Sequence, residues 1–113
     1  MSRDLMKDDM PALVLAELAR QPSHGYAIAR SIEQQSQQAF HMKEGTLYPT
    51  LRSMEQDGLI TGEWEVQPSG PARKVYRITE KGLKELSKRR KDWEEYVRNM
   101  QAILGGDAHA QPA

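Results

Sequence analysis

Residues 43–60 read Lys43-Glu44-Gly45-Thr46-Leu47-Tyr48-Pro49-Thr50-Leu51-Arg52-Ser53-Met54-Glu55-Gln56-Asp57-Gly58-Leu59-Ile60. Leu47, Leu51 and Met54 stand at i, i+4 and i+7, a narrow apolar stripe along one side of a helix. The opposite side carries Gly45, Thr46, Pro49, Arg52, Ser53 and Gln56, with Tyr48 on the border. That outer face is short-chained at its start and gains a cation one turn later, while Glu44 and Glu55 lie nearer the apolar side. Pro49 removes one i→i−4 hydrogen bond and crowds the carbonyl of Gly45. Two starts accommodate it: Thr46 as N-cap with Pro49 in the first turn, or a start near Glu44 with a small kink. Gly58 suits the C′ position, and the β-prone Leu59-Ile60 follows at once. A short amphipathic helix with a small, polar N-terminal face, followed by a hairpin, is how a winged helix-turn-helix meets a DNA groove.

Upstream of this helix the chain predicts two more. Asp8 or Asp9 caps the first, with Pro11 in its opening turn. Met10, Leu13, Val14 and Leu18 give it an apolar face widened by Leu15, Ala16 and Ala19, and Gln21-Pro22 ends it. The second starts at Ser23-His24-Gly25-Tyr26 with Ser23 as N-cap and Ile28 and Ile32 one turn apart. Gly25 so early in a helix points to close approach of another backbone. His24 has no second histidine or cysteine beside it and reads as a helix-start residue rather than a ligand. Gln34-Gln35-Ser36-Gln37-Gln38 is a polar loop or frayed helix end, and Phe40 is expected to anchor the crossover in the core.

Downstream of Gly58 the period changes to two. Ile60, Trp64 and Val66 alternate with Thr61, Glu63 and Glu65 in one strand, and Lys74, Tyr76 and Ile78 alternate with Arg73, Val75 and Arg77 in the next. Gln67-Pro68-Ser69-Gly70-Pro71-Ala72 joins them, too long a run of turn formers for a two-residue hairpin. Arg73 and Lys74 sit at the far end of this ribbon, either as DNA contacts or as edge charges that limit strand pairing.

From Thr79, a capping residue, a last helix runs to about Leu104 before Gly105-Gly106. Leu83, Leu86, Arg90, Trp93, Val97, Met100 and Leu104 recur at heptad spacing, with Tyr96 and Ile103 widening the stripe. So long an apolar face exceeds what a body of this size can bury, and a homodimer through this helix is expected. Lys88-Arg89-Arg90-Lys91 with Asp92, Glu94 and Glu95 reads as a solvated face of mixed charge.

The 113-residue chain is bounded by its composition as well. It has 16 basic and 16 acidic residues and no cysteine, which excludes disulfides and thiolate metal sites. Residues 1–79 hold 9 Lys/Arg and 10 Asp/Glu, and residues 80–113 hold 7 and 6, so neither part is a basic tail. DNA binding must therefore come from a local patch on a neutral body. His24, His41 and His109 are scattered, and no carboxylate pair or Gly-rich phosphate loop is recognisable, so neither an enzyme, a metal centre nor a cofactor is expected. No apolar run reaches the roughly 18 residues of a membrane span and no secretory segment is recognisable in residues 1–10, so the cytoplasm is the expected location.

Thr46-Leu47-Tyr48-Pro49, Leu51, Asp57-Gly58-Leu59-Ile60, Arg73-Lys74, Tyr76, Ile78-Thr79 and Gly82, preceded by Ser23-His24-Gly25-Tyr26, together resemble the PadR family of bacterial transcriptional regulators. The resemblance covers residues 10–104, with Val75 standing where an aromatic often precedes the tyrosine and with a less basic wing than in many relatives. It implies a mainly α fold with a small β-hairpin: a winged helix-turn-helix over 9–79, a single dimerisation helix over 80–104, and flexible termini at 1–8 and 105–113. The function it implies is a transcriptional regulator, with a winged-helix protein-interaction module as the alternative. Thr46, Pro49 and Ser53 are expected at base edges or the groove floor, and Lys43, Tyr48, Arg52, Arg73 and Lys74 mainly at phosphates of double-stranded DNA. Trp93 either seals the dimer interface or stacks on a small aromatic effector. Some members of the family use a tryptophan on this helix in the second way.

Overall fold

The computed structural model describes Arg3–Asp4 and residues 9–105. Its elements run β1 (Arg3–Asp4), α1 (Met10–Arg20), β2 (Ser23–His24), α2 (Gly25–Gln35), β3 (Phe40–His41), α3 (Glu44–Gln56), β4 (Ile60–Glu65), β5 (Arg73–Ile78) and α4 (Glu80–Leu104). The expected order of three helices, ribbon and long helix is present, and the fold is mainly α with a small antiparallel sheet. Of the termini expected to be flexible, residues 1–2, 5–8 and 106–113 lie outside the described residues. Arg3–Asp4 pairs in parallel with Phe40–His41.

The core forms where the apolar faces of α1, α2 and α3 converge on the base of the ribbon. Val14, Leu15, Ile28, Leu47, Leu51 and Ile60 are fully buried there, and Leu86 closes it from α4. The stripe read from α3, Leu47, Leu51 and Met54, is the buried one. α3 takes the earlier of the two possible starts, with Lys43 at the N-cap position and Pro49 inside the helix. Thr50 donates from its hydroxyl to the Thr46 carbonyl at 2.8 Å. Gly58 has φ +77°, the left-handed C′ conformation that lets α3 end directly into β4.

Three local expectations are corrected. Ser23 is not the cap of α2; it is drawn into β2, which pairs with Tyr76 and Val75 of β5, so the cap falls one residue later on His24. The ribbon thereby gains a third strand, in the order β2-β5-β4. Phe40 is 37% exposed, whereas Met42, two residues on, is 4% exposed and supplies the anchor. Asp9 does occupy the N-cap position of α1, as expected, with Pro11 in the first turn, though without a side-chain hydrogen bond.

α4 is fixed at its start to the base of the ribbon. Thr79 caps it, accepting from the Gly82 N–H at 3.0 Å, and its own hydroxyl faces the carbonyls of Gly58 and Leu59 at 2.6 and 3.0 Å. The Thr79 N–H donates to the Leu59 carbonyl at 3.1 Å. At the far end Gly105 adopts φ +67° and its N–H donates to Gln101. Beyond Leu86 the helix leaves the body: Trp93, Tyr96, Met100, Ile103 and Leu104 are all exposed.

Candidate nucleic-acid interface

α3 presents Tyr48, Pro49, Arg52 and Ser53 to solvent, because Leu47, Leu51 and Met54 are spent on the core. Thr46 is half-buried and Lys43 exposed at the same end. The expected base-edge and phosphate residues of α3 therefore share its outer side. Glycine at position 25 lets the outer end of the Tyr48 ring approach the start of α2: a Cβ there would stand 2.7 Å from Tyr48 Cε1. The close approach foreseen at Gly25 is thus made by a side chain and not by backbone. It ties the helix-turn-helix pair together at the surface.

Beside α3 runs a cleft of about 870 Å³ between the ribbon and the N-terminus of α2. Tyr48, Arg52 and Glu55 of α3 form one wall, and Trp64 and Arg73 of the ribbon form the other. Its floor is made by cross-strand neighbours. Gly62 opposes Tyr76 and Trp64 opposes Lys74 in the β4–β5 register, so these side chains share the face that looks toward α3. The lack of a side chain at Gly62 makes room: a Cβ would stand 2.5 Å from Lys74 Cε and 3.1 Å from Tyr76 Cε1.

The two ribbon cations expected at phosphates are already engaged in the free protein. Lys74 donates to Glu55 at 2.9 Å, and its ammonium sits 5.5 Å above the Tyr76 ring. That hydrogen bond to Glu55 raises the pKa of Lys74 above the usual lysine value. Burial raises the Tyr76 phenol in turn, so the floor of the cleft carries no phenolate at neutral pH. Arg73 donates to Nε2 of His24 at 2.8 Å, linking the ribbon to the cap of α2. The Arg52 side chain makes no hydrogen bond or ion pair among the described residues.

Sequence reasoning missed three residues of this cleft. Trp64 shares a face with Ile60, as period two requires, but it lies past the edge of the core and remains 70% exposed. Tyr26, in the first turn of α2, is exposed and accepts from Arg30 at 3.1 Å. His24 is drawn in by the pairing of β2 with β5, a contact no local pattern announces.

The residues expected at a dimer interface divide along α4. Leu86 is buried in its own body, Val97 is half-buried, and Leu83, Arg90, Trp93, Tyr96, Met100 and Leu104 are exposed. Trp93 and Tyr96 stack on each other with centroids 5.8 Å apart and an interplanar angle of 25°. Arg89 pairs with Glu85 at 2.7 Å across one turn, in keeping with a solvated face of mixed charge. Between α1 and α2 a second hollow of about 280 Å³ is lined by Leu13, Ala16, Ile32 and Phe40. At its edge the buried Glu17 carboxylate accepts from Ser31, Gln35 and Arg20. Among the described residues no group of three or more His, Cys, Asp or Glu is placed to hold a metal, and no helix is long and apolar enough to cross a membrane.

Comparison with known proteins follows the same lines. Residues 14–88 match the family model described as the transcriptional regulator PadR-like family. The chain is 36% identical over 96 residues to the transcriptional regulator Rv3488 of Mycobacterium tuberculosis, covering 85% of this chain and 83% of that one. Among solved structures it is similar to a PadR family transcriptional regulator from Eggerthella lenta, with 31% identity and a TM-score of 0.77 over 89% of this chain and 86% of that one. The smu.1704 protein of Streptococcus mutans gives a TM-score of 0.80 at 29% identity, over 94% and 95%.

Proposed function

This chain belongs to the PadR-like family of transcriptional regulators, and from that premise we propose that it acts in the cytoplasm as a homodimeric repressor of a roughly palindromic operator. The observation that carries the reading is the pairing of two faces on one rigid body. α3 turns a small, polar, cationic side outward next to a cleft that also holds Arg73 and Lys74, and α4 carries an apolar side, Trp93, Tyr96, Met100, Ile103 and Leu104, left exposed among the described residues.

In this reading Thr46, Pro49 and Ser53 meet base edges in the major groove, while Lys43, Tyr48, Arg52, Arg73 and Lys74 hold phosphates. Phosphate contacts set register and base contacts set sequence. The second copy supplies its α4 to cover Trp93, Tyr96, Val97, Met100 and Leu104. The apolar hollow on α1 and α2 offers a seat for the end of that helix. Two-fold symmetry then presents two α3 helices to successive major-groove faces, which is why the operator is expected to be palindromic.

The stacked Trp93–Tyr96 pair supports a site for a planar aromatic effector between the two α4 helices. Occupancy would alter the spacing of the helices and with it the spacing of the two wings, coupling the effector to DNA affinity.

Selection of duplexes retained by the purified protein, followed by anisotropy titration of the winner at several salt concentrations, tests this reading. A palindromic consensus bound by a dimer, with affinity falling steeply with salt, is the expected result. Binding that is absent, or that shows no sequence preference, would overturn it and favour a protein-interaction module, which the zero net charge also suits. Quenching of Trp93 fluorescence by planar aromatic compounds, with release of DNA, is the expected sign of an effector. A panel that neither quenches nor releases leaves Trp93 a sealing residue of the interface.

A further inference from the structure

The imidazole of His24 stands between two hydrogen-bond donors. Its Nδ1 lies 3.4 Å from the N–H of Ala27, which it caps, and its Nε2 lies 2.8 Å from Nη1 of Arg73. Arginine and the backbone N–H can only donate, and a neutral imidazole has one ring nitrogen with which to accept. The ring therefore serves one donor at a time. An imidazolium serves neither, since it turns an N–H toward both. Protonation thus undoes the Arg73 contact and sets two cations side by side.

The backbone holds them in that position. His24 is in register with Val75, the residue after Lys74, so β2 and β5 keep the ring and the guanidinium near each other whatever their charge. The other polar groups lining the same cleft are Tyr26 of α2, Tyr48, Arg52 and Glu55 of α3, and Lys74 of β5. Glu55 is the one carboxylate in that lining, and Lys74 occupies it at 2.9 Å. On the sheet face that His24 shares with Arg73 and Val75, the β4–β5 register also sets Glu65 opposite Arg73 and Glu63 opposite Val75; both are exposed, lie one strand further from β2 and make no ion pair with His24 or Arg73. A phosphate oxygen, which accepts from both cations, is the group that would complete the arrangement.

We propose that His24 and Arg73 form a phosphate clamp on the ribbon side of the DNA interface, latched on itself while His24 is neutral and completed by proton uptake when DNA binds. This rests on the DNA-binding reading of the cleft and adds to it a residue, His24, and a proton. The sign follows directly. If the complex holds one more proton than the free protein and free DNA, affinity rises as pH falls. One added phosphate contact also steepens the log–log salt slope by about 0.9.

The test compares wild type with His24→Asn on a short fluorescent duplex, at pH 6 and pH 8 and across a salt series. Asparagine keeps an acceptor for the α2 cap but has no proton to gain. Phosphate contacts are sequence-independent, so a duplex of arbitrary sequence serves. Wild type is expected to bind several-fold more tightly at pH 6, with the steeper slope, while His24→Asn keeps the shallower slope at both. A pH step that survives in His24→Asn, or is absent from wild type, overturns the clamp while leaving DNA binding intact. Failure to bind at either pH overturns the DNA reading and the clamp with it. An arm without DNA separates these: in the free protein the Arg73 side-chain Nε–Hε resonance should shift as His24 titrates and stay still in His24→Asn. An Arg73 resonance that ignores His24 refutes the latch on its own.

Discussion

Gly82 packs so closely on Leu59 that a Cβ at position 82 would stand 2.2 Å from the Leu59 carbonyl oxygen and 2.7 Å from Ile78 Cγ1. The obstacle is the backbone of the turn between α3 and β4, which cannot swing aside. Gly82→Ala is therefore expected to destabilise the protein by about 2–3 kcal/mol, toward the upper end for overpacking, despite alanine's better helix propensity. Thermal unfolding should show a drop of roughly 10 °C or more for a domain of this size. An unchanged midpoint would mean that α4 is not seated on the ribbon as described.

Gly25 gives the contrasting case. The atoms it faces are the outer end of the Tyr48 ring, which is 40% exposed and can rotate away. Gly25→Ala should cost about 1 kcal/mol, the low end for overpacking. It should nonetheless weaken DNA binding more than Tyr48→Phe does, because the ring is displaced toward the duplex. Equal affinities for wild type and Gly25→Ala would remove Tyr48 from the interface.

Lys74 is the cation whose charge is already matched. Glu55→Gln should release it and remove one carboxylate from the cleft wall, giving tighter binding to any duplex and a salt slope steeper by about 0.9. Because the bond to Glu55 raises the Lys74 pKa, the pair's contribution to stability is complete below the ordinary lysine pKa and is lost only as pH climbs past the raised value. The stability difference between wild type and Lys74→Met should thus be flat from about pH 6 to 9 and close only in strongly alkaline solution. Urea denaturation across that range would expose any other dependence.

Arg52 and Ser53 separate positioning from reading. Arg52→Ala should flatten the salt slope by about 0.9, with equal losses on operator and random DNA. Ser53→Ala should instead relax preference at one base pair, against the roughly 1–3 kcal/mol that a good bidentate base contact provides. Should Arg52→Ala alter preference at a single position, Arg52 is a base reader and the two roles are exchanged.

The α4 seam is testable by charge. Val97→Asp with Met100→Asp should yield a folded monomer by sedimentation and abolish operator binding, since each half-site alone is weak. A double variant that stays dimeric would move the interface elsewhere on the chain.

The parts of this architecture that local patterns determine were readable in advance. α3 shows its stripe, its terminating Gly58 and its outer face in residues 44–58 alone, and Thr79 and Gly105 mark the bounds of α4 by capping chemistry. What escaped was set by partners distant in sequence. Ser23 has the chemistry of a cap, but β5 claims its backbone for a sheet, and the cap passes to His24. Phe40 has the bulk of a core anchor, but it stays exposed where β3 pairs with β1, and Met42, just past the end of β3, is buried in its place. Alternation gives Trp64 the face of Ile60; what it cannot reveal is that Trp64 lies past the edge of the core and stays exposed among the described residues. The cation partners were hidden for the same reason, since Glu55 and Lys74 are neighbours only once the ribbon folds back.

The way α4 is mounted has a mechanical consequence. Its 25 residues make a rod of about 37 Å at 1.5 Å per residue. Thr79 and Gly82 clamp one end of that rod to the turn that also launches the ribbon. Tilting the free end by roughly 3 Å therefore requires the whole winged body to pivot by only about 5°, since no compliant linker lies between them. In the proposed dimer the crossing angle of two such rods would act as a gear, converting an ångström-scale change at Trp93 into a change in the distance between two α3 helices.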